Sequence, residues 1–229
     1  MDYCFRFLFI ITLMTSSPKQ SDSSSMRLAV LLLAAGEGSR LGGLPKALIK
    51  KEGQTLLRRF SETIQGLSVL EFLVVTGFHA NVIEDELAKL RTEINLSYTL
   101  VHNAQAHLGQ SSSVRLGIES LTSDYDVLLI ALCDQPELDL EALLVLLHQF
   151  ECREAGREIL LPMVDERRGN PVLFSKKVIE KILAIPAIAC RPFMDRHPEL
   201  VQAFTTDHQA FILDVDTEDD IKKLGLERS

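Results

Sequence analysis

Mostly apolar runs alternate with amphipathic segments along the first half of the chain. The apolar runs lie at 28–33, 70–75, 96–101 and 126–132. The segments whose apolar residues recur at helical spacing lie at 55–64, 81–90 and 111–121. Apolar runs of this length are typical of strands buried on both faces of a sheet. Strands and helices that alternate with short joins predict a right-handed, mostly parallel α/β sheet with helices on both faces.

The second half of the chain predicts further helices and a small antiparallel portion. The helices are predicted at 139–150, 176–185 and 191–197. Short strands at 158–162 and 171–174 flank a turn-rich insert, 164–170, which predicts a hairpin. A closing strand is predicted at 211–216, and Thr217 is suited to be the N-cap of a final helix with acidic residues in its first turn.

Residues 1–25 differ in character from the rest of the chain. The apolar stretch 5–14 has Arg6, near its start, as its only flanking cation. It is too short to span a bilayer and is not followed by a small-x-small cleavage site. We interpret 1–25 as a disordered leader or an upstream extension, with export as the alternative. The whole chain has 229 residues, 46% of them hydrophobic, which is enough for one core, so one domain is expected over 26–229.

A glycine-rich loop with two cations follows the first apolar run. Glycines let the backbone approach a ligand closely, and Arg40 and Lys46 supply positive charge. Gly36, Gly38 and Gly42 give G-x-G-x-x-x-G, which differs from the dinucleotide spacing G-x-G-x-x-G, and Lys46 does not follow a glycine as it would in a P-loop. The loop therefore predicts a phosphate cradle of another kind.

Polar residues also follow the second and third predicted strands. Thr76 and Gly77 end one of them, and Asn103 lies just after the other. Gly109 then precedes a run of three serines, 111–113, that opens a helix. Ligands of parallel sheets collect outside the carboxyl ends of the strands, where hydroxyls and unpaired N–H groups suit a nucleobase edge. The alternative is that the serines only cap the helix.

Three aspartates are candidate metal ligands. Asp134 follows the apolar run 126–132 directly, so it is expected at the same edge of the sheet as the glycine loop. A carboxylate there suits Mg²⁺, which prefers oxygen ligands. Asp214 and Asp216 alternate on the predicted closing strand and share one face, so either suits the second carboxylate. The alternative is that both belong to the cap of the final helix.

The chain resembles the molybdenum cofactor cytidylyltransferases. The resemblance rests on five segments: 33–46, 109–117, 132–136, 169–174 and 213–220. The first reads L-A-A-G-x-G-x-R-L-G-x-x-P-K and, with the third, is similar to the signatures of nucleotidyltransferases in general. Ala35 stands where the guanylyl-transferring sister family usually has glycine, and together with the serine run after Gly109 it favours cytidine.

The resemblance implies a Rossmann-like nucleotidyltransferase fold and an Mg²⁺-dependent enzyme that transfers CMP from CTP to molybdopterin, with release of pyrophosphate. The implied catalytic residues are Arg40, Lys46 and Asp134, and the implied metal ligands are Asp134, Asp214 and Asp216. The implied nucleotide contacts are Leu33, Ala34, Ala35, Gly36, Gly38, Ser39, Arg40, Lys46, Thr76, Gly77, Asn103, Gly109, Gln110, Ser111, Ser112 and Ser113.

The resemblance is weaker on the acceptor side. The implied acceptor contacts are Gly169, Asn170, Pro171 and Arg191. Asn170 stands where relatives commonly carry histidine, and Ala189-Cys190-Arg191 stands where Gly-Ala-Arg is frequent. A further expectation from the resemblance is transient contact with a molybdoenzyme or its chaperone.

The net charge and the cysteine content limit the kinds of partner and compartment that the sequence predicts. The formal net charge of −8 argues against a nucleic-acid partner, which would need a basic face, and no segment of the sequence predicts membrane association. Four scattered cysteines without a C-x-x-C pair fit reduced thiols in the cytoplasm. Alternatives that the loop does not separate are GTP as donor and a sugar phosphate, polyol phosphate or phosphocholine as acceptor. A non-catalytic cofactor-binding chaperone of the same fold is the alternative from another class.

Overall fold

The apolar runs of the sequence form the centre of one sheet. The structure, a computed structural model, describes residues 26–228, and the interpretation of the leader lies outside them. The strands are β1 (Leu28–Ala34), β2 (Lys50–Lys51), β3 (Gln54–Thr55), β4 (Val69–Thr76), β5 (Thr99–His102), β6 (Val127–Leu132), β7 (Ile159–Val164), β8 (Arg167–Arg168), β9 (Val172–Ser175) and β10 (Val201–Thr205).

Helices connect these strands and cover the sheet. They are α1 (Leu56–Gln65), α2 (Ala80–Glu93), α3 (Gln110–Ser120), α4 (Leu140–Glu151), α5 (Lys176–Leu183), α6 (Cys190–Arg196) and α7 (Glu218–Lys223). The main sheet runs in the order β10-β7-β9-β6-β1-β4-β5, with β8 paired to β7, while β2 and β3 form a separate pair. Strands β6, β1, β4 and β5 pair in parallel, as do β10 and β7. Strand β9 is antiparallel to both β6 and β7. The predicted α/β class, with a mostly parallel sheet and an antiparallel portion, is confirmed.

The central strand β1 divides the core into two layers. Its residues Val30 and Leu32 join the cluster covered by α1, α2 and α4. Its residues Ala29 and Leu31 join the cluster covered by α3, α5 and α6. Successive side chains of a strand point to opposite faces, so a continuous apolar run is what a strand buried on both faces requires. None of the described helices is long and apolar enough to cross a membrane.

The predicted closing strand at 211–216 is wrong. Residues Gln209–Phe211 form a 3₁₀ turn, and the chain from there to the cap of α7 is irregular. The last strand of the sheet is instead β10, paired with β7. Ile212 and Val215 are buried in two different clusters, so their spacing reflects a chain that passes between clusters rather than one face of a strand. Thr217 does cap α7 and forms a capping box with Asp220.

Neighbouring leucines of α4 provide a test of this layer arrangement. Leu143 is fully buried, whereas Leu144 is 50% exposed. We expect Leu143→Ala to lower the free energy of unfolding by about 2–5 kcal/mol, because it leaves a cavity under the sheet. We expect Leu144→Ala to change it by less than about 0.5 kcal/mol. Urea denaturation of both variants measures the difference, and equal losses would contradict the placement of α4.

Candidate active site

A cavity of about 830 Å³ lies at the carboxyl ends of β1 and β6. The glycine loop forms one wall of it, and Asp134, which follows β6, lies in the same cavity. Its lining residues are Leu33, Ala34, Ala35, Gly36, Glu37, Gly38, Ser39, Arg40, Lys46, Ala47, Phe78, Ile83, Ala106, His107, Gly109, Gln110, Ser113, Leu132, Cys133, Asp134, Arg191, Asp214 and Asp216. The structure thus brings the sequence-predicted loop and all three predicted carboxylates together.

The glycine loop folds through two left-handed glycines. Gly38 and Gly42 have φ values of 68° and flank a short 3₁₀ turn, Ser39–Leu41. The N–H of Gly43 donates to the Gly38 carbonyl at 3.0 Å, which closes the turn. A Cβ on Gly38 would overlap the carbonyl oxygen of Leu44, whereas the space beside Gly42 is open. Gly38 is therefore required both by its backbone conformation and by its close approach to the next part of the loop.

Lys46 is the centre of the charge network in the cavity. Its Nζ lies 2.9 Å from Asp134 Oδ2 and 2.5 Å from Asp216 Oδ1, and Arg40 Nη1 lies 3.0 Å from Asp216 Oδ2. The Lys46 and Asp134 side chains are only 19% and 15% exposed, whereas Arg40 is 73% exposed. Desolvation lowers the pKa of Lys46, but the charge of Asp134 and the hydrogen bonds to both carboxylates outweigh it, so the pKa is raised. Lys46 is therefore the ammonium that neutralises this part of the cavity.

The third carboxylate, Asp214, is less well compensated. Desolvation and then the negative charges of Asp134 and Asp216 raise the pKa of its carboxyl group. The segment that carries both late aspartates is fixed to the end of β6, because the Val215 N–H donates to the Asp134 carbonyl at 3.0 Å. Backbone hydrogen bonds thus hold the three carboxylates in one place.

These carboxylates fit a divalent cation. Asp134 Oδ1 is buried without a hydrogen-bond partner among the described residues. Carboxylate oxygens are the ligands that Mg²⁺ and Mn²⁺ take in proteins. Within residues 26–228, however, no three His, Cys, Asp or Glu side chains are already grouped as a metal site. The Lys46 ammonium lies between two of the three carboxylates instead.

Some predicted nucleotide contacts lie outside the cavity lining and support the residues that line it. Thr76 is fully buried and donates its hydroxyl to Glu84 at 3.0 Å. The Asn103 amide donates to the hydroxyls of Ser112 and Ser113 at 2.9 Å each. Of the predicted contacts, those outside the cavity lining are Thr76, Gly77, Asn103, Ser111 and Ser112. Asn103 therefore orients the start of α3, whose Gln110 and Ser113 line the cavity.

The predicted acceptor contacts separate into two groups. Arg191 lines the cavity, whereas Gly169, Asn170 and Pro171 do not. The Asn170 N–H donates to the Phe211 carbonyl at 2.8 Å, and the Asn170 carbonyl accepts from the Gln135 amide at 3.0 Å. This segment therefore supports the chain that leads to Asp214.

Phe78 is a lining residue that the sequence analysis missed. Its side chain is 45% exposed at the cavity and follows Gly77, a glycine that packs against Ala35 and Ala106. An aromatic residue directly after a strand-ending Thr-Gly pair was the available signal, because large apolar side chains at a rim of this kind often contact ligands. Glu37 and His107 also line the cavity, and no sequence pattern predicted them as nucleotide contacts.

Comparison with known proteins now identifies the family. Residues 30–200 match the MobA-like NTP transferase domain. The chain belongs to the MobA-like NTP transferase family. It is therefore an enzyme of the nucleotidyltransferase type, and its cavity is the candidate site for a nucleoside triphosphate.

One relative matches most of the chain, and solved structures share its fold. Nicotine blue oxidoreductase of Paenarthrobacter nicotinovorans is 29% identical over 199 residues, which cover 85% of this chain and 94% of that protein. Rv0371c of Mycobacterium tuberculosis H37Rv has a similar fold, with a TM-score of 0.68, 20% identity and coverage of 87% of this chain and 98% of that chain. Another structure of Rv0371c is a complex with manganese. The 4-diphosphocytidyl-2C-methyl-D-erythritol synthase of Anaerococcus prevotii gives a TM-score of 0.66, at 16% identity and coverage of 87% and 94%.

The two left-handed glycines give a matched test of the loop. We expect Gly38→Ala to weaken the binding of CTP, used as a probe, by about tenfold or more, because the new methyl group displaces the loop from Leu44. Gly42→Ala is the control, since it carries only the left-handed backbone cost of about 1–2 kcal/mol and meets open space. Isothermal titration calorimetry measures both affinities. Equal affinities for CTP in the two variants would show that the loop does not contact the triphosphate.

Proposed function

We propose that this MobA-like NTP transferase transfers CMP from CTP to molybdopterin and releases pyrophosphate. The observation that carries the proposal is the presence, in one cavity, of the glycine loop, its two cations and three carboxylates. Nucleotidyl transfer needs cations that neutralise phosphate oxygens and oxygen ligands for a divalent metal. The family supplies the general reaction, and we infer the nucleotide and the acceptor from the residues of the cavity.

The wall around Ala35 supports CTP as the donor. Ala35 is buried, and a Cβ on Gly77 would lie 2.9 Å from its methyl group, so the two residues are closely packed. Ala35 lines the cavity, so a glycine at position 35 would remove a methyl group from this wall, and a purine needs more room than a pyrimidine. Elsewhere in the lining, Gln110 and Ser113 offer an amide and a hydroxyl for a base edge.

The residues of the cavity match the needs of the reaction. A phosphate oxygen of the acceptor forms a bond to the α-phosphorus of CTP, and the bond from that phosphorus to the bridging oxygen breaks, so pyrophosphate leaves. Lys46 and Arg40 would neutralise the leaving phosphates, together with N–H groups of the glycine loop. Asp134, with Asp214 or Asp216, would hold Mg²⁺, which would offset phosphate charge. A phosphomonoester, with a second pKa of about 6, is already ionised, so no general base is needed.

Arg191 supports an anionic acceptor. It is exposed at the cavity, on the first turn of α6, and can meet a phosphate with the planar donors of its guanidinium. We infer that it binds the terminal phosphate of molybdopterin. The acceptor then enters between α6 and the carboxylates that follow β6.

A product assay with each nucleotide tests the proposal. The protein is incubated with molybdopterin, Mg²⁺ and each of the four ribonucleoside triphosphates, and pyrophosphate and product mass are measured. We expect pyrophosphate and a cytosine dinucleotide with CTP. Formation of a guanine dinucleotide with GTP would show that GTP, and not CTP, is the donor. Release of pyrophosphate only with a sugar phosphate, polyol phosphate or phosphocholine would overturn the assignment of molybdopterin as acceptor. Tight binding of molybdopterin without any transfer would indicate a chaperone.

Asp134→Asn tests the role of the carboxylate cluster. We expect pyrophosphate release to fall by about 10²–10³-fold, because the buried oxygen that fits the metal loses its charge. The fold is expected to persist, since Val215 is fixed by the backbone carbonyl of residue 134 rather than by its side chain. The control is Asp219→Asn, at a side chain that is 78% exposed and outside the cavity. Equal rates for the two variants would exclude Asp134 from the reaction.

A further inference from the structure

The guanidinium of Arg115 lies against the turn that joins α5 to α6. Its two terminal nitrogens donate, at 3.0–3.4 Å, to the carbonyl oxygens of Ile182, Leu183, Ile185 and Ile188. Its Nε donates to Glu119 one turn further along α3. The Arg115 side chain is only 20% exposed, so these bonds are largely shielded from water. A single side chain of α3 thus holds four backbone groups of another part of the chain.

These bonds fix a turn that has little other regular structure. Helix α5 ends at Leu183. The Ile182 and Ile185 carbonyls also accept from the N–H groups of Ile185 and Ile188, at 3.1 and 3.5 Å, so Arg115 adds to a few backbone bonds of the turn. The turn also contains Ala187 with φ of 59°, a left-handed conformation that is unfavourable for a residue with a Cβ. A guanidinium with several donors in one plane suits this cluster of carbonyls, which a lysine ammonium cannot span. Arg115 therefore holds this strained turn in a single conformation.

The fixed turn leads directly into the cavity. Helix α6 begins at Cys190, two residues after the last carbonyl that Arg115 binds, and Arg191 lines the cavity. The rest of α6 packs on α3, because Phe193 belongs to the same apolar cluster as Val114. Packing thus holds the body of the helix, and Arg115 holds the chain that enters it.

We propose that Arg115 is a positioning residue that sets the guanidinium of Arg191 at the acceptor side of the cavity. The start of α3 lines the nucleotide side, so one helix defines the separation between the two sides. This inference rests on the proposed function, which assigns Arg191 to the phosphate of the acceptor.

Kinetics of Arg115→Met test the positioning role. We expect KM for molybdopterin to rise about tenfold, the effect of one misplaced charge-assisted hydrogen bond, while KM for CTP changes by less than about twofold. The control is Glu119→Gln, which removes the negative charge of the group that accepts from Nε and leaves the four carbonyl contacts intact, so both KM values are expected to stay close to those of the wild type. A rise in both KM values to the same extent would reduce Arg115 to a general structural role and overturn the proposal.

Combination with Arg191→Met separates positioning from an independent contact. If Arg115 acts through Arg191, the double variant Arg115→Met/Arg191→Met has the same KM for molybdopterin as Arg191→Met alone. Additive effects would contradict this. Arg115→Lys keeps the charge and the aliphatic stem, so it is the substitute if Arg115→Met does not fold, and it is expected to show the same selective rise in KM.

A chemical measurement tests the geometry without turnover. Phenylglyoxal modifies exposed guanidinium groups, and mass spectrometry reports each site separately. We expect Arg115→Met to change the modification rate of Arg191 severalfold and to leave that of Arg40, which belongs to the glycine loop, unchanged. Unchanged modification of Arg191 would overturn the proposal. This result is independent of the acceptor, so absence of transfer to molybdopterin in the wild type would refute the proposed function alone.

Discussion

The contact of the Lys46 ammonium with Asp134 and Asp216 is the interaction on which the site depends. It joins three distant parts of the chain: the loop after β1, the end of β6 and the segment before α7. Carboxylates that are largely withdrawn from water are unfavourable unless they are paired. Asp134 is only 15% exposed, so without Lys46 the neighbouring carboxylates would repel one another with little screening. The grouping of acids is stable because one ammonium lies among them.

The same ammonium links the charge balance of the cavity to ligand binding. Any phosphate that Lys46 binds competes with Asp134 and Asp216 for its three donors. The carboxylates that lose this partner need another cation, and Asp134 already has one buried oxygen without a partner among the described residues. A triphosphate and a divalent cation are therefore complementary ligands for this cavity, because each offsets the charge that the other leaves.

The central part of the fold was predictable because it obeys local rules. Strands β1 and β6 are continuous apolar runs, because a strand that is buried on both faces has few positions for polar side chains. The glycine loop and Asp134 follow these two strands directly, so parallel pairing alone places them at one edge. The segment before α7 follows no such rule. Its apolar residues Ile212 and Val215 belong to different clusters, so the alternation that predicts a strand there has another cause.

The acceptor side of the cavity depends on contacts that have no local pattern. The resemblance implies acceptor contacts at Gly169, Asn170 and Pro171, yet hydrogen bonds from Gln135 and to Phe211 hold that segment outside the cavity lining. Arg191 reaches the cavity because a turn more than 60 residues from α3 is held by Arg115. Such contacts join residues far apart in the chain, and periodicity and capping rules describe only near neighbours. The proposed nucleotide side of this site is thus specified by short motifs, and the proposed acceptor side by tertiary hydrogen bonds.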